Sequence, residues 1–105
     1  MTLTDADNGT SVTVRPGEHV AIHLTENPTT GFQWALQQGN EKILELLDSA
    51  YVRAAGSGLG SGGQRVLACK ARHSGTVLLR LKLWRAWEVD TSVMKRFEVT
   101  IHVTN

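Results

Sequence analysis

The chain has 105 residues, 41% of them hydrophobic, and 11 basic against 10 acidic residues leave a net charge of +1. That length suits one domain that buries roughly 60–70% of its unfolded surface; the hydrophobic content excludes a disordered chain, and the balanced charge excludes the basic face a nucleic-acid binder needs. The lone Cys69 excludes an internal disulfide, and no apolar run approaches the ~20 residues of a membrane-spanning helix.

The opening residues, Met1 to Asn8, are polar and do not read as a signal peptide. The expected compartment is therefore cytoplasmic if the chain is complete, and periplasmic or secreted if a leader has been trimmed. Ser11–Val14 predicts a short first strand, closed by the turn signal Arg15-Pro16-Gly17. His19–Leu24 alternates, with Val20, Ile22 and Leu24 on one side. Alternate side chains of a strand point to opposite faces, so such a segment has one buried and one wet face.

Asn27-Pro28-Thr29-Thr30-Gly31 interrupts this pattern. Pro28 fixes its own φ and pushes Asn27 toward an extended backbone, Gly31 admits a φ that a β-carbon forbids, and Asn and Thr side chains can bond the loop's own backbone. The expected result is a stiff, polar, protruding loop, either recognising something or serving only as a hairpin connection. Phe32–Leu36 then alternates again, with Phe32, Trp34 and Leu36 inward and Gln33 and Gln37 outward. Glu41–Val52 fits two periods: Ile43, Leu44, Leu46 and Leu47 have helical spacing, but the surrounding strands favour extended structure.

From Ala54 to Gly63 half of the ten residues are glycine. No Gly-Lys-Ser/Thr ending or strand–loop–helix context supports a phosphate cradle, and a flexible linker is the plain alternative. Gln64–Ala71 predicts a strand, followed by the turn His73-Ser74-Gly75. In that strand Cys69 reads as a small buried hydrophobe rather than a reactive thiol. Val77–Leu83 places Val77, Leu79, Leu81 and Leu83 on one face, against Arg80 and Lys82. Trp84 ends this strand on the non-core face, and the loop Arg85-Ala86-Trp87-Glu88 follows. Trp and Arg are favoured interface anchors, although Trp87 could instead cap the sandwich with Arg85 stacked on it. Phe97–Val103 closes the set, with Phe97, Val99, Ile101 and Val103 inward.

The expected fold is all-β: one domain over residues 1–105, an immunoglobulin-like β-sandwich of seven or eight strands built from antiparallel sheets. His19 and His23 share a strand face and would approach His102 if their strands paired, but no compact ligand spacing supports a metal. No nucleophile-elbow motif accompanies the Ser, His and Asp residues.

Three segments together, Asn27–Phe32, Gly60-Ser61-Gly62-Gly63 and Arg85-Ala86-Trp87, resemble the signature of the chagasin-type inhibitors of papain-like cysteine peptidases. The resemblance in spacing and strand pattern extends over nearly the whole chain. It implies an immunoglobulin-like sandwich with three functional loops at one end, and reversible, competitive, tight inhibition of papain-family, cathepsin L-like enzymes rather than an enzymatic activity. By this resemblance Thr29 lies nearest the catalytic cysteine and histidine. The glycine loop follows one side of the cleft, and Arg85 and Trp87 grip the other. It implies a papain-like peptidase as partner; the composition and spacing lead to no expected cofactor, metal, nucleic acid or membrane, and a monomer is the default expectation. Ala86 departs from the family pattern, which has proline there, so the loop lacks one fixed φ. The alternative is a Trp-bearing sandwich that binds carbohydrate or another protein through Trp84 and Trp87.

Overall fold

The computed structural model describes residues 1–53, 62–85, 87 and 93–105. Eight strands lie among them: β1 (Thr2–Thr4), β2 (Ser11–Val14), β3 (His19–Glu26), β4 (Gln33–Gln38), β5 (Leu44–Arg53), β6 (Gly63–Ala71), β7 (Gly75–Trp84) and β8 (Lys95–Val103). They form two four-stranded sheets with orders β1-β3-β6-β5 and β2-β8-β7-β4.

The period-2 pattern accounts for the packing. Val20, Ile22, Leu24, Leu67, Cys69 and Ala71 project inward from the first sheet. From the second come Trp34, Val77, Leu79, Leu81, Leu83 and the inward set of β8. All are buried in one core, and removing this apolar surface from water is the main driving force of the fold. Cys69 is part of that core, and burial raises its thiol pKa from the ordinary 9.0 to about 11.

Four features depart from the sequence expectation or decide it. Ser11–Val14 is the second strand, because Thr2–Thr4 pairs with Ala21–His23 and buries Leu3 at 3% exposure. The single apolar residue of that segment does not stand out among Thr and Asp. The sheets are also not wholly antiparallel, since β1 runs parallel to β3 and β2 parallel to β8. The ambiguous segment is extended along β6 from Leu44↔Ala71 to Arg53↔Gly63, with a bulge between Leu46 and Asp48. The bulge turns Leu47 outward, to 47% exposure, while Leu46 packs on the core. An extra residue in one strand breaks the period of 2, which is why these leucines imitate helical spacing. Leu36 follows the inward side but is 40% exposed, because β4 is an edge strand with its own irregularity between Leu36 and Gln38.

The histidines do not converge. His19 and His23 lie on β3 in one sheet and His102 on β8 in the other. His23 Nδ1 instead lies 3.2 Å from Gln64 Oε1, and His102 Nδ1 lies 3.0 Å from Thr76 Oγ1.

Candidate functional site

The connections β3–β4, β5–β6 and β7–β8 leave the sandwich at the same end. Register fixes this: Glu26 and Arg53 both pair with Gly63, and Gln33 pairs with Trp84.

The first loop is tied to itself. Asn27 is extended, at φ −118° and ψ 106°, as its following proline requires. Its Oδ1 accepts from the Thr29 backbone N–H at 3.1 Å and from the Thr29 hydroxyl at 2.7 Å. Pro28–Thr30 make a single 3₁₀ turn, with the Thr30 N–H on Asn27 O at 3.2 Å and the Gly31 N–H on Pro28 O at 3.2 Å. The Thr30 hydroxyl donates to Asn27 O at 2.8 Å, and its oxygen accepts from the Phe32 N–H at 3.3 Å. Pro28, Thr29 and Thr30 are exposed although the loop's backbone donors are satisfied. The loop is both protruding and stiff, as Asn27, Pro28 and Gly31 predict.

Gly31 meets two demands. Its φ is +80°, in the left-handed region, and a β-carbon there would lie 2.8 Å from Cη2 of Trp87. The bare backbone thus lets the Trp87 ring approach the first loop. Trp87 is still 69% exposed, so it does not cap the sandwich end. Arg85 stacks on Phe32, with the guanidinium carbon 4.3 Å from the ring centre. Its Nε also donates to Thr30 O at 3.2 Å. The third loop is therefore docked on the first through Arg85 and Trp87.

Gly62, at the end of the glycine-rich segment, lies beside Asn27 at the start of the first loop. A β-carbon on Gly62 would sit 3.6 Å from Asn27 Cβ, and one on Gly63 would collide with Val52 O at 2.2 Å. Glycine at position 63 is needed for that close backbone approach. Gly60, Ser61 and Ala86 of the expected site lie outside the described residues.

Trp84 is half-buried on the outer face of β7, with Lys82 Nζ 3.6 Å from its ring centre. One ring face is thus taken by a cation. Trp84 and Trp87 flank an open groove of about 190 Å³ over Gln33 and Ala35.

Sequence reasoning missed two residues beneath the first loop. Glu26 is 3% exposed, and both its oxygens are used. Oε2 accepts from Arg65 Nη2 at 2.9 Å, while Oε1 accepts from Arg65 Nε at 3.3 Å and from the Trp34 N–H at 2.8 Å. Trp34 also donates its indole N–H to Thr25 O at 2.9 Å. The signal was present. Alternation of Val20, Ile22 and Leu24 continues to Glu26, and that of Ala71, Cys69 and Leu67 continues to Arg65. A carboxylate and a guanidinium at the ends of two inward-facing runs predict a buried pair if the strands are neighbours.

The fold and this end of it define a β-sandwich whose first loop is packed against Gly62 on one strand end and against Arg85 and Trp87 on another. A family profile described as the chagasin family of peptidase inhibitors, I42, matches residues 13–101. The chain belongs to that family. It is 33% identical to Chagasin of Trypanosoma cruzi over 102 residues, covering 92% of each chain. Its fold matches the crystal structure of EhICP2, a cysteine protease inhibitor of Entamoeba histolytica, with TM-score 0.86 at 18% identity over 98% of this chain and 94% of that one. It also matches PbICP-C, solved in complex with falcipain-2, with TM-score 0.70 at 17% identity over 99% and 90%.

Proposed function

We propose that this chain is a reversible, competitive, tight-binding inhibitor of papain-family, cathepsin L-like cysteine peptidases, with its three-loop end filling the active-site cleft. The observation that carries this reading is the packing of Gly62, Arg85 and Trp87 on a self-bonded first loop. Gly62 packs beside Asn27, and Arg85 and Trp87 pack on Thr30, Phe32 and Gly31. Family membership supports peptidase inhibition, and the names of EhICP2 and of the PbICP-C complex agree with a cysteine peptidase as target.

In this reading Asn27, Pro28, Thr29, Thr30, Gly31 and Phe32 meet the centre of the cleft, with Thr29 nearest the catalytic pair. Gly60, Ser61, Gly62 and Gly63 follow one wall, and Arg85, Ala86 and Trp87 the other. The mechanism is occlusion. A loop already ordered when free loses little conformational entropy on binding, so its contacts convert to affinity with small loss. A three-loop wedge suits an interface of the standard ~1,600 Å². The inhibitor survives if no peptide bond reaches the thiolate in a near-attack geometry.

Titration of papain or a cathepsin L-like enzyme tests this. The expected result is competitive inhibition, with the inhibitor recovered intact after long incubation. Full peptidase activity at micromolar inhibitor would sink the proposal.

A further inference from the structure

We infer that Glu26 and Arg65 are positioning residues, a buried ion pair that sets the first loop against the glycine loop for recognition. This rests on the inhibitory reading and names two residues of that end which do not touch the cleft.

Glu26 is the last residue of β3 and immediately precedes Asn27. Trp34, whose N–H the same carboxylate accepts, lies two residues past Phe32, so one side chain closes the base of the loop across eight positions. Arg65 lies two residues past Gly63 and grips that carboxylate through Nε and Nη2. The ends of both loops are thereby fixed to one ion. The pair is well shielded, with side-chain exposures of 12% for Arg65 and 2% for Glu26, and Arg65 Nη1 reaches Ser49 Oγ at 3.4 Å.

Stability alone is a weak reason for such a pair. Replacing both members of a buried ion pair by apolar residues of similar size is often neutral or stabilising, because neither charge then has to be desolvated. What an apolar pair cannot supply is direction. Two N–H donors and a backbone N–H aimed at one carboxylate hold three strand ends in a single arrangement. A loop that must enter a cleft profits from that geometry, since order established before binding is not lost on binding.

The double variant Glu26→Leu with Arg65→Met separates the two roles. It is expected to stay folded and keep the relaxation behaviour of core amides such as Ile22, Leu81 and Ile101. Backbone ¹⁵N order parameters of Thr29 to Phe32 should fall from the rigid range of about 0.85 to below about 0.6. The inhibition constant for papain should rise about tenfold or more. The exposed pair Arg80 and Glu98, changed to Met and Leu, is the control and should alter neither quantity. If the double variant does not fold, Glu26→Gln is measured in the same way, because it keeps an acceptor for the Trp34 N–H but removes the charge. Loop order parameters equal to the parent's overturn the inference whatever the inhibition constant. A disordered loop with an unchanged constant overturns it too, since the pair would then not serve recognition. A parent that fails to inhibit papain sinks the inhibitory reading instead, and the relaxation data still decide whether the pair holds the loops.

Discussion

Trp87 is held by the far edge of its ring and is otherwise exposed. Its ring rests on Gly31, where a β-carbon would intrude at 2.8 Å, yet 69% of the residue faces solvent. A large aromatic presented this way is suited to be an interface anchor, and its removal leaves no hole in the core. Trp87→Ala is expected to weaken peptidase inhibition by about 1–2 kcal/mol, a rise of about five- to thirtyfold in the inhibition constant, with the melting temperature unchanged. An unaltered constant, or a loss of fold, would remove Trp87 from the anchor role. Trp87 and Gly31 stood out in the sequence as a bulky aromatic and a turn glycine in polar loops, although a capping Trp and a plain hairpin turn fitted the same residues. That they touch was not legible, because 55 residues and four strands lie between positions 31 and 87 and only the second sheet brings them together. Likewise Arg85 stacks on Phe32, a residue of the first loop.

Strand β1 shows how an element can be silent in sequence and present in structure. Three residues with one apolar side chain carry almost no periodic signal, but Leu3 seals the margin of the core and Thr2–Thr4 bonds in parallel to β3. Its chain direction is set by the 3₁₀ turn Asp5–Asp7, which Thr4 caps while Asp7 bonds back to the Thr4 N–H at 2.8 Å. Asp5 then accepts from the Thr25 N–H and hydroxyl at 3.1 and 3.0 Å. Leu3→Ala should therefore destabilise the domain by about 2–3 kcal/mol. Urea unfolding checks this: the midpoint should fall with an unchanged slope, and an unmoved midpoint would mean that β1 contributes nothing. β5 gives the converse lesson. Its apolar residues were visible but their period misled, since a bulge is a decision of strand pairing that local propensity does not encode.

The whole domain stands on one core without a disulfide, and Cys69 reports on its integrity. Burial holds the thiol pKa near 11, against an ordinary 9.0. The folded state therefore keeps a proton that the unfolded chain gives up. The stabilisation is complete below about pH 9 and is lost as pH rises through about 11, amounting to about 2–3 kcal/mol. Chemical unfolding of the parent and of Cys69→Ala from pH 8 to 11 should show a steeper alkaline loss in the parent. Parallel profiles would place the thiol in contact with solvent.

The sequence by itself determined which faces of the long strands are buried and the self-bonded turn at Asn27–Gly31. These are consequences of local chemistry: period-2 alternation, fixed proline φ, glycine freedom, and side chains short enough to bond their own backbone. Tertiary structure alone decided the parallel pairing of β1 with β3 and of β2 with β8, the bulge in β5, the separation of His102 from His19 and His23, and the contact of Arg85 with Phe32. It also decided that Glu26 and Arg65 meet. The reason is the same in each case: strand order and register bring together groups far apart in the chain, and the energy that selects them comes from burial in a shared core rather than from neighbours in sequence.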